Sequence, residues 1–225
     1  MSRRPIANPL ALAVLSCLWQ RPMYPYEITT TLREQGKEDS IRLNFGSLYA
    51  VIKSLEKHGF IEATRSEREG NRPERTVYAI TDAGRAESDD WLRELIEQPA
   101  NEYPAIETAL SLITILQPSV ALGLLRRRIE LLDADIADRE ESLTTPEIQA
   151  LPELFMIEFS YKVAMLRAER VFIETLADRL ERGEVGGQEM WTRLHELLAA
   201  GQTMEQILKD SAGNFGQEAA DLLTD

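Results

Sequence analysis

The stretch Asn44-Phe45-Gly46-Ser47-Leu48-Tyr49-Ala50-Val51-Ile52-Lys53-Ser54-Leu55-Glu56-Lys57-His58-Gly59 decides the fold. Leu48, Val51, Ile52 and Leu55 stand at i, i+3, i+4 and i+7, so one face of a helix is apolar and calls for burial. The opposite face carries Ser47, Ala50, Lys53, Ser54 and Lys57, with no acid among them. Asn44 to Ser47 can cap this helix, and His58-Gly59 closes it. Lys53 and Lys57 lie one turn apart, so both can follow a single phosphate backbone. Small residues for close approach, with donors for phosphates and base edges, are what a helix in the DNA major groove requires.

The flanking sequence supplies the rest of such a domain. Asn8-Pro9 opens a first helix with a good cap and a proline at its first position, and Leu10, Val14, Leu15, Leu18 and Trp19 recur at helical spacing up to Gln20. A second helix is predicted over about Tyr24–Gln35, with Ile28 and Leu32 on one face and Gly36 at its stop. Downstream, Phe60–Ser66 and Thr76–Ile80 read as two strands around the turn Glu69-Gly70-Asn71-Arg72-Pro73, and Thr81-Asp82 caps another helix. Three helices and a hairpin in this order predict a winged helix-turn-helix, whose third helix enters the groove while the hairpin tip meets the neighbouring backbone.

Charge is divided unevenly. Residues 1–85 hold 13 Lys/Arg against 10 Asp/Glu, a net of +3, whereas residues 86–225 hold 12 against 28, a net of -16. Affinity for nucleic acid follows the local patch, so only the first third is a candidate. The wing segment 62–76 carries Arg65, Arg68, Arg72 and Arg75, but also four glutamates, so it is neutral except at its tip. One cysteine, Cys17, and two distant histidines, His58 and His195, supply no disulfide, metal cluster or catalytic triad. No phosphate-cradling loop is present, because Gly183–Gly187 follows a helix and not a strand. A non-enzymatic protein without cofactors is expected. With no signal peptide and no apolar run near the ~20 residues of a membrane span, a cytoplasmic location is expected as well.

These residues resemble the PadR family of bacterial transcriptional regulators. The resemblance is carried by Tyr24-Pro25-Tyr26-Glu27-Ile28, Gly46-Ser47-Leu48-Tyr49, Leu55-Glu56-Lys57-His58-Gly59-Phe60-Ile61, Val77-Tyr78-Ala79-Ile80-Thr81 and Asp82-Ala83-Gly84-Arg85. None is specific alone; their order across roughly 75 residues makes the combination strong. It implies a repressor that binds a palindromic operator in double-stranded DNA as a homodimer. It also implies that Tyr24, Ser47, Tyr49 and Lys53 make the helix contacts and Arg72 the wing contact. Asn44, Lys57 and Arg75 complete the candidate DNA-binding set. Family wings are richer in Lys and Arg than this one.

The remainder is expected to be an all-α, antiparallel, coiled-coil-like dimerisation domain. A helix is predicted over Tyr103–Leu116, ending at Gln117-Pro118. Leu122, Leu125, Ile129, Leu132, Ile136, Arg139 and Leu143 then alternate steps of three and four. After Thr144-Thr145-Pro146, so do Met156, Phe159, Val163, Leu166, Arg170, Ile173, Ala177 and Leu180. Leu125, Ile129, Leu132, Ile136, Phe159, Val163, Leu166, Ile173 and Leu180 are the candidate dimerisation residues. Arg139 and Arg170, each within a seam, are expected to pair with acids across the interface. Beyond the hinge Gly183–Gly187 lies an acidic helical extension that can pack on the dimer, swap onto a partner or stay mobile. The expected organisation is therefore 1–97 DNA-binding domain with connecting helix, 98–183 dimerisation domain and 184–225 extension.

Family members are thought to sense small aromatic compounds, and Trp19, Trp91 and Phe155 are the candidate contacts for such an effector here. Core packing is the competing reading of each ring. A second function class stays open: a winged helix that binds a protein partner, with weak or no DNA binding. Salt dependence separates the two, since phosphate neutralisation gives a steep loss of affinity with salt.

Overall fold

The computed structural model describes residues 4–37, 45–67 and 75–216. They fall into two compact units divided between Glu102 and Tyr103. The first contains α1 (Pro9–Gln20), α2 (Pro25–Glu34), α3 (Phe45–Lys57), β1 (Ile61–Glu67), β2 (Arg75–Ile80) and α4 (Asp82–Glu97). The second is helical: α5 (Ala105–Ser111), α6 (Pro118–Ser142), α7 (Pro146–Gln149), α8 (Ile157–Glu181), α9 (Gln188–Ala199), α10 (Met204–Lys209) and α11 (Ser211–Phe215).

In the first unit α1 is the hub. The Asn8 carboxamide accepts from Leu10 N at 3.0 Å, and Pro9 occupies the first turn, as the sequence predicts. Leu10, Val14, Leu15, Cys17 and Leu18 are buried, and the helix packs against α2, α3, α4 and β2. Burial pushes the Cys17 thiol up to about 11, against a small opposing hydrogen bond from Ser16, so this residue is a neutral buried group.

β1 and β2 pair antiparallel from Ile61↔Ile80 to Glu67↔Arg75, with an irregularity at Thr64. Met23 and Tyr78 exchange both backbone hydrogen bonds at 3.0 Å, which ties the hairpin to the entrance of α2. Thr81 joins three elements. Its hydroxyl donates to Gly59 O at 2.6 Å and accepts from Gly84 N at 3.1 Å, capping α4 while gripping the end of α3. Gly84 is obligatory for this junction: a Cβ there would stand 2.0 Å from Phe60 O.

In the second unit α6 and α8 form the expected antiparallel pair, with Arg126 joined to Asp178 and Glu181 at one end and Arg167 to Glu140 near the other. The seam closes within a single chain. Leu125, Ile129 and Leu132 of α6 and Val163, Ile173 and Leu180 of α8 are buried there, and Ile136, Phe159 and Leu166 are half-buried. Within one chain, the six buried residues are therefore covered by the chain's own helices. Arg170 likewise meets Asp133 of the same chain at 2.6 Å, and Arg139 holds Asp135 on its own helix at 2.8 Å.

The helix predicted over Tyr103–Leu116 is corrected. It leaves α geometry at Leu112 (φ -113°, ψ 12°) and continues as a 3-10 turn over Ile113–Ile115. The break frees two carbonyls that α9 takes up: Trp191 Nε1–H donates to Leu116 O at 2.8 Å, and a His195 ring nitrogen bonds Thr114 O at 3.0 Å. Residues 184–216 thus pack into the second unit, with Trp191 beside Ile173, Ala177 and Leu180. None of the described helices is long and apolar enough to cross a membrane.

Candidate nucleic-acid interface

α3 divides as its periodicity predicts. Leu48, Val51, Ile52 and Leu55 are buried against the first unit's core. Ser47, Ala50, Lys53 and Lys57 are exposed and Ser54 is half-buried, so the opposite face stays in water. Among the described residues no carboxylate pairs with Lys53 or Lys57. Two unneutralised ammonium groups one turn apart, with Ser54 between them and Ala50 and Ser47 on the preceding turns, leave room for close approach to a polyanion.

Tyr49, 53% exposed, is a surface ring flanking this face. Its neighbourhood can be read from Tyr78, whose hydroxyl is raised by burial first and then by nearby Glu56 and Tyr49. Tyr49 is thus near enough to Tyr78 to be felt by its hydroxyl.

Tyr24 sits where α2 begins. Glu27 Oε2 accepts from Tyr24 N at 2.7 Å, fixing the helix entrance, and the Tyr24 ring stacks on Tyr26 at 5.7 Å. Because Met23 is paired with Tyr78, Tyr24 is held next to the hairpin. Tyr24 opens α2, which packs on β2, and Tyr49 lies on α3, which packs on β1, with Lys53 and Lys57 further along α3. His58 caps that helix through a 2.7 Å bond from its Nδ1 to Ser54 O, as its position predicts.

Asn44 and Arg72 lie outside the described residues. Arg75 opens β2 opposite Glu67, and only its backbone is described. Of the rings considered for an effector, Trp19 is 60% exposed with the Arg85 guanidinium 5.3 Å from its centroid. Trp91 is 5% exposed within the first unit's core, and Phe155 is 69% exposed in the second unit.

One cluster escaped sequence reasoning. Arg4 binds Glu87 and Asp90 at 2.7 Å and Glu94 at 2.6 Å, and its guanidinium lies 5.6 Å from the Trp91 centroid. Three acids along one face of α4 were a legible sign of a cationic partner; its origin 83 residues earlier was not. Burial disfavours the charged Arg4 most, but the three carboxylates outweigh it and hold the guanidinium protonated.

Comparison with known proteins places these features. Residues 14–90 match the model of the Transcriptional regulator PadR-like family. A negative transcriptional regulator PadR of Bacillus subtilis (strain 168) is 27% identical over 163 residues, covering 71% of this chain and 87% of that protein. Among solved structures, Bacillus subtilis PadR in complex with operator DNA aligns with a TM-score of 0.59 at 21% identity, over 77% of this chain and 99% of the other. The same protein in complex with p-coumaric acid gives 0.58 at 22% identity, over 76% and 98%. A PadR-like regulator from Bacillus cereus gives 0.52 at 20% identity, over 77% and 99%. These structural likenesses establish the winged-helix fold.

Proposed function

We propose, from the PadR-like transcriptional regulator domain that residues 14–90 carry, that this protein represses transcription by binding an inverted-repeat operator in double-stranded DNA as a homodimer. The carrying observation is the outward face of α3, where Ser47, Ala50, Lys53 and Lys57 are exposed with no described acid pairing either lysine. Tyr24, Tyr49 and Ser47 position the helix and read the groove, Lys53 and Lys57 hold phosphates, and Asn44, Arg72 and Arg75 extend the contact along the backbone. The relative's name as a negative regulator supports the direction of control, and the operator DNA bound by a structural neighbour supports the ligand.

Exposed apolar stripes support the homodimer. On α6, Val120, Leu124 and Leu131 remain exposed; on α8, Ile157, Tyr161 and Met165 do. A second copy is the natural cover for such stripes. Segments 1–97, 98–183 and 184–225 then serve as reader, coupler and extension. A small aromatic effector that releases the operator completes the proposal, supported by the p-coumaric acid complex of a neighbour.

The test is fluorescence anisotropy of the purified protein on DNA from upstream of its own gene, titrated at several salt concentrations beside a scrambled duplex. Sequence-preferring binding whose affinity falls steeply with salt is expected. Equal binding to both duplexes, or none by folded protein, would move the chain to the protein-interaction reading of the winged helix.

A further inference from the structure

A single guanidinium spans half of α4. Arg4 Nη1 donates to Glu87 Oε1, Nη2 to Asp90 Oδ2 and Nε to Glu94 Oε2, each at 2.7 Å. Its side chain is only 13% exposed, and it lies over the ring of buried Trp91. The three acids stand at i, i+3 and i+7, so they line two turns of one helix face, about 10 Å long. Without the cation these carboxylates would repel one another along the helix. An isolated surface ion pair holds little, but a network that engages all three nitrogens of a shielded guanidinium is the exception. Lysine could not replace it, since an ammonium is a point donor without the planar fork.

The grip starts from a fixed point, because Ile6, two residues after Arg4, is buried in the core of the first unit. α4 is tied separately at its first turn, where Thr81 caps it and Gly84 abuts Phe60 O. It ends at Glu97 and is the last element before the second unit, which begins at Tyr103. A tilt of about ten degrees pivoting at Gly84 would carry Glu97 about 3 Å sideways.

We infer that Arg4 is a positioning residue: by gripping residues 87–94 it fixes the course of α4 out of the first unit, and so the separation of half-sites that the homodimer reads. The inference rests on the homodimeric DNA-binding reading above. All three guanidinium nitrogens are engaged within the unit, so Arg4 acts through α4 and not on DNA itself.

Two measurements on the full chain test it. In Arg4→Gln, amide hydrogen exchange should quicken about tenfold or more over residues 91–97 and stay native over the buried stripe of α3. Arg4→Lys, which keeps the charge without the fork, should fall between. Unchanged exchange in α4, or equal quickening in α3, would overturn the inference. The second measurement uses duplexes from upstream of the protein's own gene, carrying one half-site or both, with centres at the native separation or moved by about two base pairs. Wild-type protein should favour the native separation. Arg4→Gln should match it on the half-site, bind the native repeat roughly tenfold more weakly and lose the preference between separations. A variant that keeps the preference, or that weakens equally on half-site and repeat, would overturn the role of Arg4 and leave the homodimer reading standing. Wild-type protein that binds half-site and repeat alike would overturn that reading, and the inference with it. Should Arg4→Gln fail to fold, Arg4→Lys carries both comparisons with smaller shifts.

Discussion

Large apolar side chains that stay exposed are shared unequally: six belong to the described part of the unit ending at Glu102 and seventeen to that of the unit beginning at Tyr103. In the first unit several of the six are already engaged, Trp19 by Arg85 and Tyr26 by Tyr24. Its helices close around α1, and the outward face of α3 carries Ser47, Ala50, Lys53 and Lys57, flanked by exposed Tyr49. In the second unit α6 and α8 satisfy one seam and still present Leu124, Leu131, Tyr161 and Met165 to solvent. The second unit thus leaves the larger share of exposed apolar side chains, the kind of surface the proposed second copy would cover.

The strongest way to break this contrast is to charge the leftover stripe. Leu131→Glu with Met165→Glu should give a folded monomer on sedimentation and lower operator affinity about 100-fold or more, because the linked second reader is lost. A variant that stays dimeric would move the assembling surface elsewhere. Next in size is Gly84→Ala, which forces a Cβ onto the Phe60 carbonyl. Since that atom is backbone, a loss of about 3 kcal/mol in urea unfolding is expected, with the second unit's helices unaffected. Lys53→Ala should leave stability unchanged while weakening DNA binding roughly tenfold and lowering the salt slope by about one. An unaltered slope would remove Lys53 from the phosphate path. The smallest effect is expected for Arg170→Leu. Its pairs with Asp133 and Glu174 lie on the intramolecular seam. Stability should fall by about 0–1 kcal/mol with no change in oligomeric state.

Legibility in the sequence followed the same division. Leu48, Val51, Ile52 and Leu55 announce a buried stripe, and local signals such as Asn8-Pro9 and Thr81-Asp82 mark helix starts that the structure keeps. These depend on neighbours within a turn or two, so sequence spacing is enough. Heptads in α6 and α8 were equally visible, but a period says that a face is buried and not which chain buries it. Leu125, Ile129 and Val163, expected between protomers, are covered within one chain by its own helices. The break at Leu112 depends on Trp191 and His195, about eighty residues away, and no local pattern carries such a contact.

The central claim, that two copies present two α3 helices to one site, is tested most directly by comparing duplexes with one or both operator half-sites. Half-site centres about one helical turn apart, near 34–36 Å, are expected for a two-fold dimer. Sedimentation should find two chains on the full inverted repeat, with affinity at least about 100-fold above that for the half-site duplex. Equal affinity for the two duplexes, with one chain bound to each, would contradict it.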